Sequence, residues 1–377
     1  MNRERLTVMA GHRLFWPLIA LVSLLIGNVF FTPDFFSVQM KQGHLYGSLI
    51  DILNFGAPLL LVALGMTTVI ATKGIDLSVG AIVAISGALA CLRISQSSDQ
   101  GRVATVLGAV GLALLLSLAL GAWNGFLVAG LGVQPIIATL VLMVAGRGLA
   151  QLITGGFIIT VTSPPYAMIG GGYLFTLPFP MLVALAVVAA SALLVRRSAL
   201  GVLLEAVGGN LQASRLAGVN WRGLVWLVYV FSGLCAGLAG LMISSNTSAA
   251  DGNNAGLWIE LDAILAVVIG GTPLTGGRFS IGGTVVGAFL IQTLTTTIYT
   301  VGIPPETTLL FKALVVTAVC LMQSPAFRAT LLAGRGRRTK DDVPGPHVDG
   351  RGPSATTGSG PDVRTGSATD SSTEVRA

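Results

Sequence analysis

The chain alternates between apolar blocks and short polar stretches. Many blocks are of about 20 residues, the length that crosses about 30 Å of hydrocarbon as a helix. They run Leu14–Phe31, Ile50–Ala71, Ala81–Leu92, Val103–Gly130, Pro135–Ile153, Pro178–Val195, Gly223–Ser244, Leu257–Gly271, Gly282–Val301 and Leu309–Leu321. The third and eighth are short, and each is accompanied by carboxylates: Asp76 just ahead of the third, Glu260 and Asp262 inside the eighth. Short alternating segments, the mark of a membrane β-barrel, do not occur. The pattern predicts an all-α polytopic membrane protein of about ten transmembrane helices, some short or broken.

Between the blocks, Thr32–Leu49, Arg93–Arg102 and Ser245–Gly256 read as polar connections. Thr154–Leu177, rich in Gly, Pro and aromatics, reads as an external loop. Arg196–Arg222 is the largest polar island inside the apolar region. The chain turns basic from Arg328, and from Gly334 to Ala377 it has the composition of a disordered tail. Three parts follow: a cytoplasmic N-terminus at 1–13, a transmembrane domain at 14–324 holding the loop 196–222, and a basic, disordered tail at 325–377.

Composition agrees with this. Of 377 residues, 53% are hydrophobic and 10% charged, against about 25% charged in soluble domains. A net charge of +6 would suggest nucleic acid in a soluble protein. Here the basic residues flank apolar blocks, so the positive-inside effect accounts for them and no nucleic acid partner is expected. Arg3, Arg5, Arg13, Lys73, Arg196, Arg197, Arg215, Arg222 and Arg278 fall on one side of a ten-crossing chain, with Arg328, Arg335, Arg337, Arg338 and Lys340 beyond the last block. The other side holds Lys41, Arg93, Arg102 and, at a helix edge, Lys312. Both termini and Arg196–Arg222 are therefore expected in the cytoplasm. The first block is long and lacks a small-residue cleavage site, so it reads as a retained helix and not a signal peptide. Cys91, Cys235 and Cys320 are scattered among apolar residues and read as small buried hydrophobes, and no metal or cofactor is expected.

A faint repeat relates the halves. Ile75–Ile82 resembles Ile259–Ile264, and Gly132–Pro135 resembles Gly302–Pro305. The offset of five crossings implies two inverted five-helix halves, an arrangement that points to a transport path at the short segments.

Asp76 either caps the third helix, with Lys73 three residues away as a partner, or serves the path. Asp251, Asn253, Asn254 and Trp258, followed by Glu260 and Asp262, offer the amides, carboxylates and flat ring that a sugar needs, though ordinary loop composition accounts for them as well. Arg147, inside the fifth block, reads as internally paired. Gly233, Gly237, Gly240, Gly283 and Gly287 read as helix-contact positions. No GxxxxGK[ST] occurs, so the chain has no nucleotide loop of its own, and no catalytic constellation is present. Within the central island, Gly201–Leu216 is helix-compatible but interrupted at Gly208-Gly209. Glu205, Asn210, Gln212 and Arg215 suit water, while Leu203, Leu204, Val207, Leu211 and Leu216 suit apolar contact, either at the membrane surface or in a partner's groove.

Lys73–Gly80 (KGIDLSVG), Glu205–Asn210 through Arg215–Asn220, and Gly270–Arg278 resemble the permease subunits of ribose-type sugar ABC importers over roughly Leu14 to Ser324. Asp51–Asn54, Leu142–Gly148 and Asn253–Ala263 resemble in particular the galactofuranose-importing branch of that family. The resemblance implies a permease dimer with itself or a second permease, two cytoplasmic ABC ATPase subunits and an extracytoplasmic sugar-binding protein, in a bacterial inner membrane. It also implies an ATPase contact at Glu205–Gly218, carried by Glu205, Ala206, Gly208, Gly209, Asn210, Arg215 and Gly218. Asp76, Asn124, Asn246, Asp251, Asn253, Asn254, Trp258, Glu260 and Asp262 are the expected path residues. The competing expectation is an ion-coupled secondary transporter acting without ATPases.

Overall fold

The computed structural model describes residues 15–323, apart from 32, 33, 42, 303, 305 and 306. The predicted cytoplasmic segment 1–13 and tail 325–377 lie outside the described residues. In order the helices are α1 Phe15–Phe31, α2 Ser48–Ala71, α3 Val79–Ser95, α4 Val103–Gly125, α5 Pro135–Thr154, α6 Pro164–Gly171, α7 Phe179–Arg197, α8 Leu200–Gly209, α9 Leu211–Leu216, α10 Trp221–Asn246, α11 Ile259–Ile269, α12 Ile281–Thr300 and α13 Thr308–Gln323. A π-helical turn, Phe126–Gly130, continues α4. There are three two-stranded antiparallel ribbons among the described residues; two are local hairpins, and one ties Ile159–Thr160 to Ala249–Ala250.

Each predicted apolar block contains a helix. By length and composition α2, α4 with its π turn, α5, α7, α10 and α12 can cross a membrane. Helices α1 and α3 have 17 residues, α13 has 16 and α11 has 11. At 1.5 Å per residue, α11 spans only about half of a hydrocarbon core.

Local chemistry sets the helix ends. Pro135 and Pro164 open α5 and α6, where a missing N–H costs nothing. The side chains of Asn210, Asn220 and Ser280 accept from Ala213, Gly223 and Gly283 N–H and so cap α9, α10 and α12.

Helix α10 is the hub. It packs on α2, α3 and α4, and α2 and α3 are buried along most of their length. Small residues allow the close approach: Gly233 lies against Gly121 and the Ser117 carbonyl, and Gly240 against Val83. Cys91 and Cys235 are buried and free.

Two expectations are corrected. Thr154–Leu177 is no simple loop: it holds α6 and short strands, with Tyr166 fully buried under α10 and its hydroxyl 2.6 Å from Ser244 Oγ. In the central island α8 runs through Gly208 and Gly209, and the break falls at the extended Asn210, whose side chain starts the next helix. Leu204 and Val207 are buried within the chain, while Leu211 and Leu216 are exposed, open to a membrane surface or a partner.

Candidate functional site

A cavity of about 310 Å³ opens between α2, α10, α11, α12 and α13, within the range of about 300–1,000 Å³ typical of small-ligand sites. Helix α2 contributes Asn54, Phe55, Pro58 and Leu59; α10 contributes Met242, Ile243, Asn246 and Thr247. The segment entering α11 adds Asn254, Leu257, Ile259 and Asp262, and α12 adds Gln292 and Thr295. Lys312 reaches in from α13 and donates to Asp262 Oδ2 at 2.7 Å. Asn54 lines the cavity, and its Oδ1 is buried without a hydrogen-bond partner among the described residues. The lining thus combines several polar side chains with a larger apolar share that includes Phe55, Leu59 and Met242, a mixture that suits a ligand bearing both hydroxyls and an apolar face. A second hollow shares Phe55 and Gln292 with it and is lined also by Asp51 and Tyr299.

The loop before α11 forms one wall and is held from behind. Arg147 of α5 donates to the Ala255 carbonyl at 2.6 Å, and Gln151 Nε2 to Asn253 Oδ1 at 2.7 Å. Asp251 organises the turn by accepting from the Asn253 and Asn254 N–H groups and from the Asn254 amide. Slight burial alone would raise the Asp251 pKa, but these hydrogen bonds and the nearby Arg147 charge outweigh it and hold the value below the ordinary 3.8. Trp258, half-exposed, ends the loop in the left-handed region at φ 66°. Two residues on, the Glu260 carboxylate lies buried against Gly80 of α3, in space that any side chain at position 80 would need.

Asp76 is fully buried in another place. Its Oδ1 accepts from the Ser78 hydroxyl at 2.6 Å and N–H at 3.1 Å, and its Oδ2 from the Ser232 hydroxyl at 2.8 Å. Asn124 Nδ2 donates to Ser78 Oγ at 2.8 Å. This network joins the start of α3 to α4 and α10.

The expected path residues therefore separate. Asn246, Asn254 and Asp262 line the cavity together. Asp251, Asn253 and Trp258 belong to the loop and its end. Asp76, Asn124 and Glu260 are buried between helices, away from the cavity lining. Lys73 does not pair with Asp76; its Nζ donates to the Gly209 carbonyl at 3.2 Å. Sequence reasoning missed Asn54, Phe55, Gln292 and Thr295. For Asn54 and Gln292 the available signal was an amide inside a largely apolar span.

Of the expected contact segment, Glu205, Ala206, Gly209, Asn210, Arg215 and Gly218 are exposed. Val202 and Leu216 are 72% and 90% exposed, giving α8–α9 apolar as well as polar surface. Gly208 is buried against the Ala71 carbonyl.

Residues 48–320 match the family described as branched-chain amino acid transport system / permease component. The chain is 48% identical over 336 residues to the galactofuranose transporter permease protein of Escherichia coli (strain K12), covering 88% of the chain and 97% of that protein. It is 40% identical over 321 residues to the fructose import permease protein of Bifidobacterium longum (strain NCC 2705), covering 84% and 88%. It is 36% identical over 311 residues to the ribose import permease protein of Escherichia coli (strain K12), covering 81% and 90%. No solved structure matches the chain.

Proposed function

The chain belongs to the branched-chain amino acid transport system / permease component family, and on that footing we propose that it is the transmembrane permease subunit of an ABC importer that moves a monosaccharide inward. The family description names amino acids, but relatives at 36–48% identity over most of the chain name sugars. The cargo we propose is galactofuranose- or ribose-like, a reading supported by the 48% identity to the galactofuranose permease and the 36% identity to the ribose permease. These relatives favour an ATP-driven importer over an ion-coupled carrier.

The observation that carries the reading is the cavity lined by Asn54, Asn246, Asn254, Asp262, Gln292 and Thr295 together with apolar residues. Amides and carboxylates there would hold hydroxyls while Phe55 faces a ring. Asp76, Asn124 and Glu260 hold the helices that form it, and Asp251, Asn253 and Trp258 shape its loop. An extracytoplasmic binding protein would deliver the sugar at that loop.

Energy comes from another chain, because this one has no nucleotide loop. Partner ATPases close on ATP, seat on Glu205–Gly218 and drive the helices between outward and inward access. The exposed apolar residues of α8–α9 support this contact. We read ten crossings in inverted halves, both termini cytoplasmic, in the bacterial inner membrane, paired with a copy of itself or a second permease and surrounded by lipid.

Scrambling Leu204–Ala217 tests the contact. The expected result is a protein that still inserts but neither retains the ATPases nor supports uptake. Normal ATPase retention after that change would sink the assignment.

A further inference from the structure

Three segments far apart in sequence meet where α2 ends. Gly277 N–H donates to the Ala71 carbonyl at 3.0 Å. Gly208 lies directly on the same carbonyl, with the Gly277 amide beside it. Gly276 packs on the Lys73 stem. Lys73 Nζ reaches across to the carbonyl of Gly209, the last residue of α8.

Lys73 is unusual at its position. It follows the end of α2 with φ 65°, while its N–H and that of Gly74 return to the Ile70 and Val69 carbonyls. Helices ending this way normally place glycine there, because the left-handed conformation penalises a side chain. A lysine at this point throws its ammonium onto the negative end of α8, where a cation is favoured. The contacts of Gly208 and Gly277 with the Ala71 carbonyl are backbone on backbone.

We infer that Lys73 is a positioning residue that keys the α8–α9 pair to the loops leaving α2 and α11, so that movement of that pair reaches the cavity walls directly. Helix α2 carries Asn54 and Phe55, α11 carries Asp262, and α12 follows the Gly276–Gly277 loop with Gln292. Packed backbone transmits displacement instead of absorbing it. The inference rests on α8–α9 being the ATPase contact.

The test uses the full complex with its ATPases in vesicles, with native cysteines replaced by alanine and Phe55→Cys as reporter. A membrane-impermeant maleimide measures access to position 55 with and without ATP and vanadate. Otherwise wild-type protein should show a change in labelling rate of about tenfold. Lys73→Met should retain the ATPases yet reduce that change to under about twofold, and Lys73→Arg should restore it. A full ATP response in Lys73→Met overturns the inference, as does loss of ATPase retention in that variant, which would make Lys73 part of the docking itself. A parent protein that fails to retain ATPases overturns the contact reading, and the inference with it.

Discussion

Lys312 of α13 and Asp262 of α11 form an ion pair of 2.7 Å on the wall of the cavity, with side chains only 13% and 22% exposed. Each neutralises a charge that would otherwise face a poorly hydrated space. Asp262→Asn or Lys312→Met alone should lower uptake and stability, and a double-mutant cycle read from Tm should give a coupling of about 1–3 kcal/mol. Additive single effects would show that the pair does not act as one.

Glu260 and Gly80 fix the relation between α11 and α3. A methyl group at position 80 would collide with the Glu260 carboxylate and approach the Gly256 carbonyl. Gly80→Ala should therefore cost about 1–3 kcal/mol, measured as a lower Tm in detergent. Adding Glu260→Ala should recover part of it, and no recovery would mean that the clash lies with the Gly256 carbonyl.

Asp76 is expected to act through stability. Asp76→Ala leaves the Ser78 and Ser232 hydroxyls without their acceptor and should cost about 1–3 kcal/mol. Ser232→Ala should cost about 1 kcal/mol. Uptake normalised to folded protein should stay near wild type in Ser232→Ala; a specific transport defect there would return Asp76 to the path.

The loop before α11 should loosen in acid. Asp251 has a folded pKa below the ordinary 3.8, so its contribution is fully present above the unfolded value and is lost as pH falls through the folded one. The protection factors of residues 251–258, exchange rates taken relative to the intrinsic rate at each pH, should fall on going from about pH 5 to pH 3, and Asp251→Asn should flatten that fall. Unchanged acid dependence in that variant would point to another group.

The helices were legible because apolar blocks of span length leave little choice of structure. The short third and eighth blocks were visible for the same reason. The cavity was only partly legible. Asn246, Asn254 and Asp262 stand near a loop rich in polar residues, whereas Asn54 and Gln292 are lone amides in apolar helices that only the fold brings together. Lys73 looked like a partner for Asp76 because the two are neighbours in sequence; the left-handed backbone at Lys73 turns it toward α8 instead. Gly208 looked like a helix break, but its missing side chain serves the close approach to Ala71.

The most direct test is uptake by proteoliposomes holding this chain, its partner permease, the ATPases and the binding protein. Galactofuranose and ribose serve as probes, with either ATP or an ion gradient imposed. Uptake of one such sugar should need internal ATP and disappear without the ATPases. Uptake by the permease alone under an ion gradient would contradict this.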